Sequence, residues 1–363
     1  MSEVKKKLCY ILPSYNPDTD THYAYLYPFI NKISKQLRVF LVIEKGNRDV
    51  SAFRNCESVY IQKFSILPLR IFESFLVVLF VRFLGYKNFY THYSFIGAFN
   101  SVLVTNFLGG RALYWNCGMP WKYKREFVSE WLFKFILKNS ELVTGTMSLQ
   151  NSYIDIYRLN KTKTHVMSNW IDTKEVSEQI LDKNEARIKL KLPTDKKIIL
   201  FIHHLSERKG AHRLVEIIKS LNNTNDYQLL VVGDGPYKEK LTKEIETEKT
   251  RNISIIGSVP HKDLYNYYSA SDVFLMPSDE EGFPHVLLEA ALFGVPYIAS
   301  RVGGVSDITP QVAQKYLVEP DDVLGFASRI SSASEDTEIK SELRSHVGRY
   351  DIENVAKEFI RLF

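Results

Sequence analysis

The stretch VFLMPSDEEGFPHVLLEAALFGVPYIAS, residues 273–300, decides the fold. Its first four residues form a short apolar run that is typical of a buried strand, and the residues after it are rich in turn formers. Pro284 suits the first position of a helix, which continues to Gly294. A second apolar run, 295–300, then follows. This succession predicts a piece of parallel sheet, and such sheets bind ligands at the carboxyl ends of their strands.

The same alternation extends in both directions along the chain. In the second half we predict strands at 198–204, 227–236, 253–260, 273–278 and 295–300, with helices at 210–221, 261–272 and 284–294. In the first half we predict strands at 7–14, 38–46, 87–94, 111–118, 141–146 and 164–170, with a helix at 22–37. The last segment of the chain, 352–363, also has helical periodicity. The prediction is an α/β protein with two successive Rossmann-like domains and a hinge near 168–176.

Composition limits the class of protein. A chain of 363 residues is too long for one core and fits two domains. Its three cysteines, Cys9, Cys56 and Cys117, form no CxxC pair, which favours a reducing cytosol over a disulfide framework or a zinc site. The N-terminal residues lack the pattern of a signal peptide and indicate a first strand.

Charge is distributed unevenly between the two halves. Residues 1–175 hold 23 Lys and Arg against 13 Asp and Glu, whereas the remainder holds 24 against 29. A basic first half fits an anionic lipid surface, an acidic acceptor or nucleic acid, and it equally fits a mixed solvated surface.

The run SILPLRIFESFLVVLFVRFLGY, residues 65–86, calls for a comparison with membrane helices. Its longest uncharged piece, 74–81, is far shorter than the roughly 20 apolar residues that a spanning helix needs. The run is therefore either a buried helix or a helix lying at a bilayer surface, and its apolar character all round favours burial.

Two glutamates in the opening stretch stand in an apolar neighbourhood. The first N–H groups of the helix at Pro284 form a site for an anion, and Gly282 lets a ligand approach the backbone. Glu281 lies at the entrance, and Glu289 follows within the helix. A buried carboxylate needs hydrogen-bond donors, which a sugar or a ribose diol supplies. The alternative is that Glu289 pairs with a lysine and that Glu281 caps a helix.

A basic turn and a glycine turn follow two other strands. In HHLSERKG (203–210), Lys209 can place an ammonium beside phosphates with His204 and Arg208 nearby, unless this is only a solvated basic turn. VGDGP (232–236) contains Gly233 in a GxG without a third glycine, which indicates a strand-to-helix turn beside a ligand rather than a dinucleotide site.

Two weaker candidates lie in the first half. His92 ends a predicted strand and can face a cleft between the domains, although an isolated histidine is more often structural. Asp18 and Asp20 form a DxD pattern of the kind that binds metal, but the turn composition around Asn16 and Pro17 explains them without a metal.

Together these motifs resemble glycosyltransferase family 4, whose GT-B fold sets two Rossmann-like domains across a cleft. The resemblance is strong over residues 165–362 and weaker before them. It is carried by a Glu-x7-Glu pattern and by further motifs in family order: EGFPHVLLEA (281–290), GVPYIASRVGGVSDI (294–308), SVPHKDLYNYYSASDVFLMPS (258–278), VGDGP, Lys209-Gly210 and NWIDT (169–173).

The resemblance implies an acceptor domain at 1–168, completed by a helix at 350–363, and a nucleotide-sugar domain at 169–349. It implies that Glu289 grips the ribose, that Glu281 and His92 contact the donor sugar and that Lys209 neutralises the diphosphate. We assign catalysis to Glu281, His92 and Lys209. We assign donor binding to Glu289, His204, Arg208, Gly282, Phe283, Pro284 and Gly233.

Two departures from the family pattern bear on these assignments. The family usually has an arginine where this chain has His204, and histidine is at most partly charged near neutral pH. The loop after the first strand, 14–25, lacks the glycines that the family often has there. Because that loop borders the acceptor in the family, the acceptor is the least transferable inference.

The resulting expectation is a retaining hexosyltransferase that acts by a front-side mechanism. It would use a UDP- or GDP-linked sugar as co-substrate, with no further cofactor, no metal and no nucleic acid. The acceptor would be a glycan or a lipid-linked glycan of cell-surface polysaccharide synthesis. The protein would be cytoplasmic, with an anionic membrane surface at the inner face of the plasma membrane as a further partner. The alternatives are a hydrolysing nucleotide-sugar epimerase and a non-catalytic scaffold on a degenerate transferase fold.

Overall fold

The computed structural model describes residues 5–16, 25–46 and 49–363. The chain divides into two compact units, which we call unit 1 (Met1–Ser168 with Ile352–Phe363) and unit 2 (Asn169–Asp351). Asp18, Asp20 and most of the loop at 14–25 lie outside the described residues.

Unit 1 is built on a parallel sheet. Within the described residues it has seven strands in the order β3-β2-β1-β4-β5-β6-β7. The interior strand β1 is a continuous apolar run because both of its faces are covered, and Leu8–Leu12 are fully buried. The strands are β1 Lys7–Leu12, β2 Arg38–Ile43, β3 Ser58–Ile61, β4 Asn88–His92, β5 Arg111–Trp115, β6 Glu141–Thr144 and β7 Thr164–Val166.

In the part of unit 1 that the structure describes, five α-helices connect these strands: α1 Leu26–Ile33, α2 Leu67–Phe83, α3 Phe95–Leu108, α4 Phe127–Asn139 and α5 Met147–Tyr157. The start of α3 shows how the sequence sets their ends, because the Ser94 hydroxyl accepts a hydrogen bond from the Gly97 N–H. Helix α3 packs against α2 on one side and α4 on the other.

The C-terminal helix, Ile352–Arg361, belongs to unit 1. Its buried residues recur at helical spacing, so that one apolar face covers the unit: Ile352, Val355, Ala356 and Phe359. The Phe359 ring centroid lies 5.3 Å from that of Phe29 and 4.8 Å from that of Tyr90. The last segment of the chain therefore completes the core of the first unit.

Unit 2 is a second parallel sheet, with six strands in the order β10-β9-β8-β11-β12-β13 among the described residues. The strands are β8 Lys197–Ile202, β9 Tyr227–Val232, β10 Ile253–Gly257, β11 Val273–Met276, β12 Tyr297–Ser300 and β13 Leu317–Val318. The chain order reverses between β8 and β11, and ligands of such sheets bind beyond the carboxyl ends at this switch point.

The helices of unit 2 are α6 Thr173–Ser177, α7 Lys183–Leu190, α8 Leu214–Lys219, α9 Lys238–Thr247, α10 His261–Ala270, α11 His285–Leu292, α12 Val305–Ile308, α13 Val323–Glu335 and α14 Thr337–Val347. The helix that we predicted at 210–221 begins later than expected, because Gly210 has a left-handed φ of +75° and lies between two short 3₁₀ turns, Glu207–Lys209 before it and Ala211–Arg213 after it. Pro284 caps α11 with extended backbone angles and is not its first helical residue.

The predicted α/β class with two Rossmann-like sheets is confirmed. The favoured burial of the helix at 65–86 is wrong for most of its large side chains, since α2 buries only Glu73, Ser74, Val78 and Val81. Among the described residues, none of the helices has the length and apolar character that crossing a bilayer demands.

Candidate functional site

The candidate site begins where the turns after β8 and β11 meet. A Cβ on Gly210 would stand 1.9 Å from the carbonyl oxygen of Pro277, so only glycine fits there. This close approach joins the loop that carries Lys209 to the loop that carries Glu281. The switch point of the sheet thus brings together two candidates that lie far apart in the sequence.

Glu281 is buried and ion-paired at this junction. Its Oε1 accepts hydrogen bonds from Nζ of Lys209 at 2.7 Å and from Nε2 of His203 at 3.0 Å. Its Oε2 makes no hydrogen bond within the described part of the chain. One carboxylate oxygen is therefore held firmly, while the other keeps its full capacity to accept hydrogen bonds.

The three groups shift one another's ionisation. Burial by itself would raise the pKa of Glu281, but Lys209 and His203 bring that pKa down to about 2. Burial lowers the pKa of Lys209, and Glu281 offsets only part of that change. Burial likewise lowers the pKa of His203 despite its carboxylate partner. Glu281 is therefore anionic at neutral pH, beside a buried ammonium.

A second ion pair fixes the turn after β11. The buried guanidinium of Arg213 donates to Oδ1 of Asp279 at 2.7 Å and to the carbonyl of Pro277 at 3.2 Å. The Asp279 N–H in turn donates to the carbonyl of Arg208 at 2.9 Å. These bonds hold the turn between β11 and α11 against the loop that follows β8.

The histidine that joins the carboxylate is His203, whereas our sequence assignment named His204. His204 is exposed, and its N–H donates to Nδ1 of His203 at 3.0 Å. We predicted that the strand runs to residue 204, but it ends at Ile202, which decides which histidine turns inward. Arg208 is also exposed, and its guanidinium makes no hydrogen bond or ion pair within the described residues.

Glu289 lies within α11 and has partners of its own. Its Oε1 lies 2.9 Å from Nε2 of His261, and its Oε2 accepts from the hydroxyl of Tyr268 at 2.7 Å. Burial opposes its ionisation, but these two partners hold its pKa below the usual value. The apolar setting of Glu289 therefore does not require a ligand. The alternative of an internal partner holds, but the partners are a histidine and a tyrosine from α10 instead of a lysine.

The glycine turn after β9 contacts the same junction. Gly233 has a φ of +134°, and a Cβ on it would stand 2.0 Å from the carbonyl oxygen of His203. The GxG pattern thus allows the β9 turn to lie directly against the end of β8. This fits our interpretation of VGDGP as a turn beside the site, although its contact with a ligand stays a prediction.

The entrance of α11 is buried within unit 2. The Phe283 ring packs edge-on against Tyr350 with centroids 5.5 Å apart, and its carbonyl accepts from Nδ2 of Asn169 at 3.1 Å. Pro284 is buried beside it, and Gly282 is half-buried without a left-handed φ. In the turn before it, Oγ of the fully buried Ser278 has no hydrogen-bond partner among the described residues, and such a group costs free energy when it is left unpaired.

His92 ends β4 in unit 1, as predicted, but it is not presented to solvent. Its exposed fraction is 0%, its Nδ1 lies 3.2 Å from the Tyr10 hydroxyl, and its Nε2 lies 3.4 Å from the Tyr25 hydroxyl. Its ring stacks on Trp115. The next residue, Tyr93, has a left-handed φ of 57°, which is strained for a bulky side chain. As it stands, this histidine has no surface with which to touch a sugar.

The residues that the sequence did not reveal are His203, His261, Tyr268 and Arg213. His261 and Tyr268 had a signal, because they lie seven residues apart at the ends of one helix face. Within the described residues, no cluster of three or more His, Cys, Asp or Glu side chains could hold a metal ion. Metal independence itself stays an expectation.

Comparison with known proteins finds a family to which the second unit is similar. Residues 182–353 match the family model described as "Glycosyl transferases group 1". This segment contains Lys209, Glu281 and Glu289 together with their partners. The assignment to family 4 in particular stays a prediction.

Particular proteins show the same similarity. The chain is 30% identical over 226 residues to 2-deoxystreptamine N-acetyl-D-glucosaminyltransferase of Niallia circulans, covering 61% of this chain and 58% of that relative. The chain spans about half the length of the curated relatives it matches.

Two solved structures resemble the whole chain in fold. Sucrose-phosphate synthase of Thermosynechococcus elongatus superposes with a TM-score of 0.81 at 18% identity, covering 99% of this chain and 98% of that one. HepE of Anabaena in complex with UDP and glucose gives a TM-score of 0.77 at 16% identity, covering 98% and 99%. At this identity the likeness shows the fold alone, and it agrees with the GT-B class that we predicted.

Proposed function

We propose that the chain is a glycosyltransferase that moves a hexose from a UDP- or GDP-linked donor to a glycan or lipid-linked acceptor. The donor binds at the carboxyl edge of the sheet of unit 2. The observation that carries the proposal is the buried Lys209–Glu281–His203 cluster at the switch point of that sheet. The family match over 182–353 supports it.

In this proposal the diphosphate lies against Lys209. One of the three N–H groups of that ammonium is used by Glu281, which leaves two for phosphate oxygens. The exposed guanidinium of Arg208 and the first N–H groups of α11 add positive charge. Arg208 thus supplies the arginine that the family usually has at the position of His204. Because the Glu281 pair fixes Lys209 beforehand, little reorganisation is needed when the donor binds.

Glu289 binds the ribose in the same scheme. A carboxylate has about four acceptor positions, and His261 and Tyr268 use two of them. The free Oε2 of Glu281, with the backbone at Gly282, Phe283 and Pro284, receives the donor sugar. Gly233 keeps the β9 turn close enough to line the same site.

Chemistry at this site is electrostatic in our proposal. Breaking the bond between sugar and phosphate builds positive charge on the sugar and negative charge on the departing diphosphate. The anionic Glu281 stabilises the former, and Lys209 with Arg208 stabilises the latter. We infer a front-side transfer with retention, in which the departing phosphate takes the acceptor proton and no metal takes part.

Unit 1 binds the acceptor in this proposal, in cell-surface polysaccharide synthesis at the inner face of the plasma membrane. His92 contacts the donor sugar only if Tyr25, which bonds its Nε2, moves away. A Tyr25→Phe substitution tests this condition, because it removes that bond and should raise the reactivity of His92 toward diethyl pyrocarbonate. An unchanged modification rate would remove His92 from the scheme.

A thermal-shift panel of nucleotide sugars tests donor binding. A donor at about 100 times its Kd stabilises the folded state by about 2.7 kcal/mol and should raise the Tm of a chain of 363 residues by about 3–4 °C. Glu289→Gln should abolish the shift, whereas Glu358→Gln, on the exposed face of the C-terminal helix, should keep it. The proposal fails if no nucleotide sugar stabilises the protein.

The reaction itself separates the remaining alternatives. An α-linked product from an α-linked donor, determined by NMR, is expected for retention, and a β-linked product would contradict it. Nucleotide release without any acceptor would favour a hydrolysing epimerase. A cell whose glycan is unchanged by Glu281→Gln would favour a scaffold.

A further inference from the structure

The solvent-facing side of α2 is wholly apolar. Its outward side chains follow helical spacing along one stripe, with exposed fractions of 43, 60, 46, 57 and 73% for Leu69, Phe72, Leu76, Phe80 and Phe83. The opposite side of the helix packs on unit 1 through Ser74, Val78 and Val81. A helix on the surface of a globular protein ordinarily shows polar residues on its outer face. This stripe, which we call the α2 face, reverses that pattern.

The charged residues of α2 are all directed away from this face. Arg70 Nη2 lies 3.7 Å from Oε2 of the buried Glu44. Glu73 is buried and accepts from the Tyr60 hydroxyl at 2.8 Å and from the Lys63 N–H at 2.8 Å. Arg82 donates to the carbonyl of Gly109 at 2.8 Å, at the end of α3. The charged side chains of α2 therefore bind neighbouring protein groups, and none of them lies on the α2 face.

The segment of the sequence that contains the α2 face is basic. Residues 61–140 contain ten Lys and Arg but only three acidic residues, and Glu73 among those is buried. Exposed lysines stand at both ends of the helix, Lys63 before it and Lys87 after it. At the second end, Lys7 Nζ also lies 2.7 Å from the carbonyl of Leu84. Phe107, at the end of the neighbouring α3, adds another exposed ring of 83%.

We propose that the α2 face binds the surface of an anionic lipid bilayer, with the helix lying in the plane of the interface. The apolar stripe would enter the boundary between headgroups and acyl chains, and the lysines at both helix ends would meet anionic headgroups. Membrane contact of this kind needs no spanning segment.

Charge disfavours a second copy of the chain as the occupant. If two α2 faces packed antiparallel, Lys63 of each copy would lie near Lys87 of the other. If they packed parallel, identical lysines would lie side by side. Both arrangements set like charges against each other, whereas an anionic lipid surface opposes every one of them with negative charge.

Flotation with lipid vesicles tests the proposal on the full chain. We expect the protein to float with vesicles of phosphatidylcholine containing about 30% phosphatidylglycerol, and much less with phosphatidylcholine alone. The double variant Phe72→Ser and Phe80→Ser should lower the bound fraction about tenfold. Because both side chains face solvent, the variant should keep its Tm.

Matched controls separate the face from general hydrophobicity. Ile188→Ser and Leu324→Ser remove similarly exposed apolar side chains of unit 2 and should bind vesicles as the unaltered protein does. Lys63→Glu with Lys87→Glu should remove the preference for phosphatidylglycerol. Equal flotation of the Phe72/Phe80 variant and the unaltered protein overturns the proposal.

A dimer is the competing outcome. If sedimentation shows a dimer that the Phe72/Phe80 variant dissociates, and the unaltered protein does not float with vesicles, the α2 face is an interface between copies. The inference rests on the membrane location in the proposed function and not on the transfer reaction. Binding of a nucleotide sugar by the serine variant should be unchanged, so that failure here and failure of donor binding are told apart.

Discussion

At Glu281 a negative charge is kept in a setting that leaves the residue 5% exposed. Removing one partner of a buried ion pair strands the other charge. We therefore expect Lys209→Met to lower the free energy of unfolding by about 3 kcal/mol in urea titration. The double variant with Glu281→Gln should regain part of this loss, since no lone charge then remains.

The exposed pair of Lys240 and Glu207 provides the control for that substitution. Their side chains are 61% and 69% exposed, with 3.7 Å between Nζ and Oε1. Lys240→Met should change the free energy of unfolding by less than about 0.5 kcal/mol. Equal effects of Lys209→Met and Lys240→Met would mean that the buried pair contributes nothing to stability.

The same carboxylate should make stability depend on pH. The folded pKa of Glu281, about 2, lies below the value of 4.5 for an unperturbed glutamate. Its contribution is therefore complete above about pH 4.5 and is lost as the pH falls toward 2. Compared with Glu281→Gln, the unaltered protein should lose about 3 kcal/mol of unfolding free energy over that interval. A constant difference between the two proteins from pH 6 to pH 2 would contradict the low pKa.

Single residues also show where the sequence stops being informative. The pattern at 203–210 predicted a histidine and a lysine at a strand end, and the structure places such a pair on Glu281. Which of two adjacent histidines turns inward depended on where the strand ends, because successive side chains point to opposite faces of a strand. The partners of Glu289 come from a separate helix, and only tertiary packing decides that this helix lies alongside.

At the scale of elements, the turn after β9 makes a sharp prediction. Gly233→Ala would place a Cβ 2.0 Å from the carbonyl of His203 at a φ of +134°. We expect the free energy of unfolding to fall by at least about 2 kcal/mol, with weaker donor binding, because the end of β8 must shift. Denaturant unfolding and the thermal-shift panel measure the two effects.

Gly348→Ala is the matched control for that turn. A Cβ on Gly348 meets no atom within 4 Å, and its φ of −57° is helical. This substitution should leave stability within about 0.5 kcal/mol or raise it slightly. If both glycines tolerate alanine equally, the contact between the β9 turn and His203 is not as close as described.

The elements that were predicted and those that were missed differ in burial. Four strands of unit 2, namely β8, β9, β11 and β12, were predictable because they are apolar runs buried on both faces. Strand β10 was also predicted although it is partly exposed, whereas the two-residue strand β13 was missed. Strand β3 was missed because its four residues lie at the edge of the sheet and are only partly covered. Hydropathy predicted that α2 is a helix, but it did not predict whether protein buries its apolar side chains. An apolar residue is equally compatible with a core and with a lipid surface.

At the scale of the whole molecule, the C-terminal helix ties the end of the chain to its beginning. Phe359 is fully buried against Phe29, Tyr10 and Tyr90. Phe359→Ala should cost about 3–5 kcal/mol, and the loss should fall on unit 1. Hydrogen exchange should therefore accelerate in β1 and β4 while the strands of unit 2 keep their protection.

Glu358, the exposed neighbour of Phe359, serves as the control. Glu358→Ala should leave exchange unchanged in both units, because it removes no buried contact. Equal acceleration of exchange in unit 1 and unit 2 by Phe359→Ala would mean that the two units unfold together. The C-terminal helix would then not stabilise unit 1 in particular.

The position of that helix in the chain sets an order of events during protein synthesis. Ribosomes add about 5–20 residues per second, so the residues of Asn169–Asp351 take roughly ten to forty seconds to emerge after Ser168. Throughout that time Phe29 and Tyr90 lack their contact with Phe359, which has not yet been translated. The half of the protein that is made first is consequently finished last, and a nascent chain paused before residue 352 would be a natural client for chaperones that recognise aromatic surfaces.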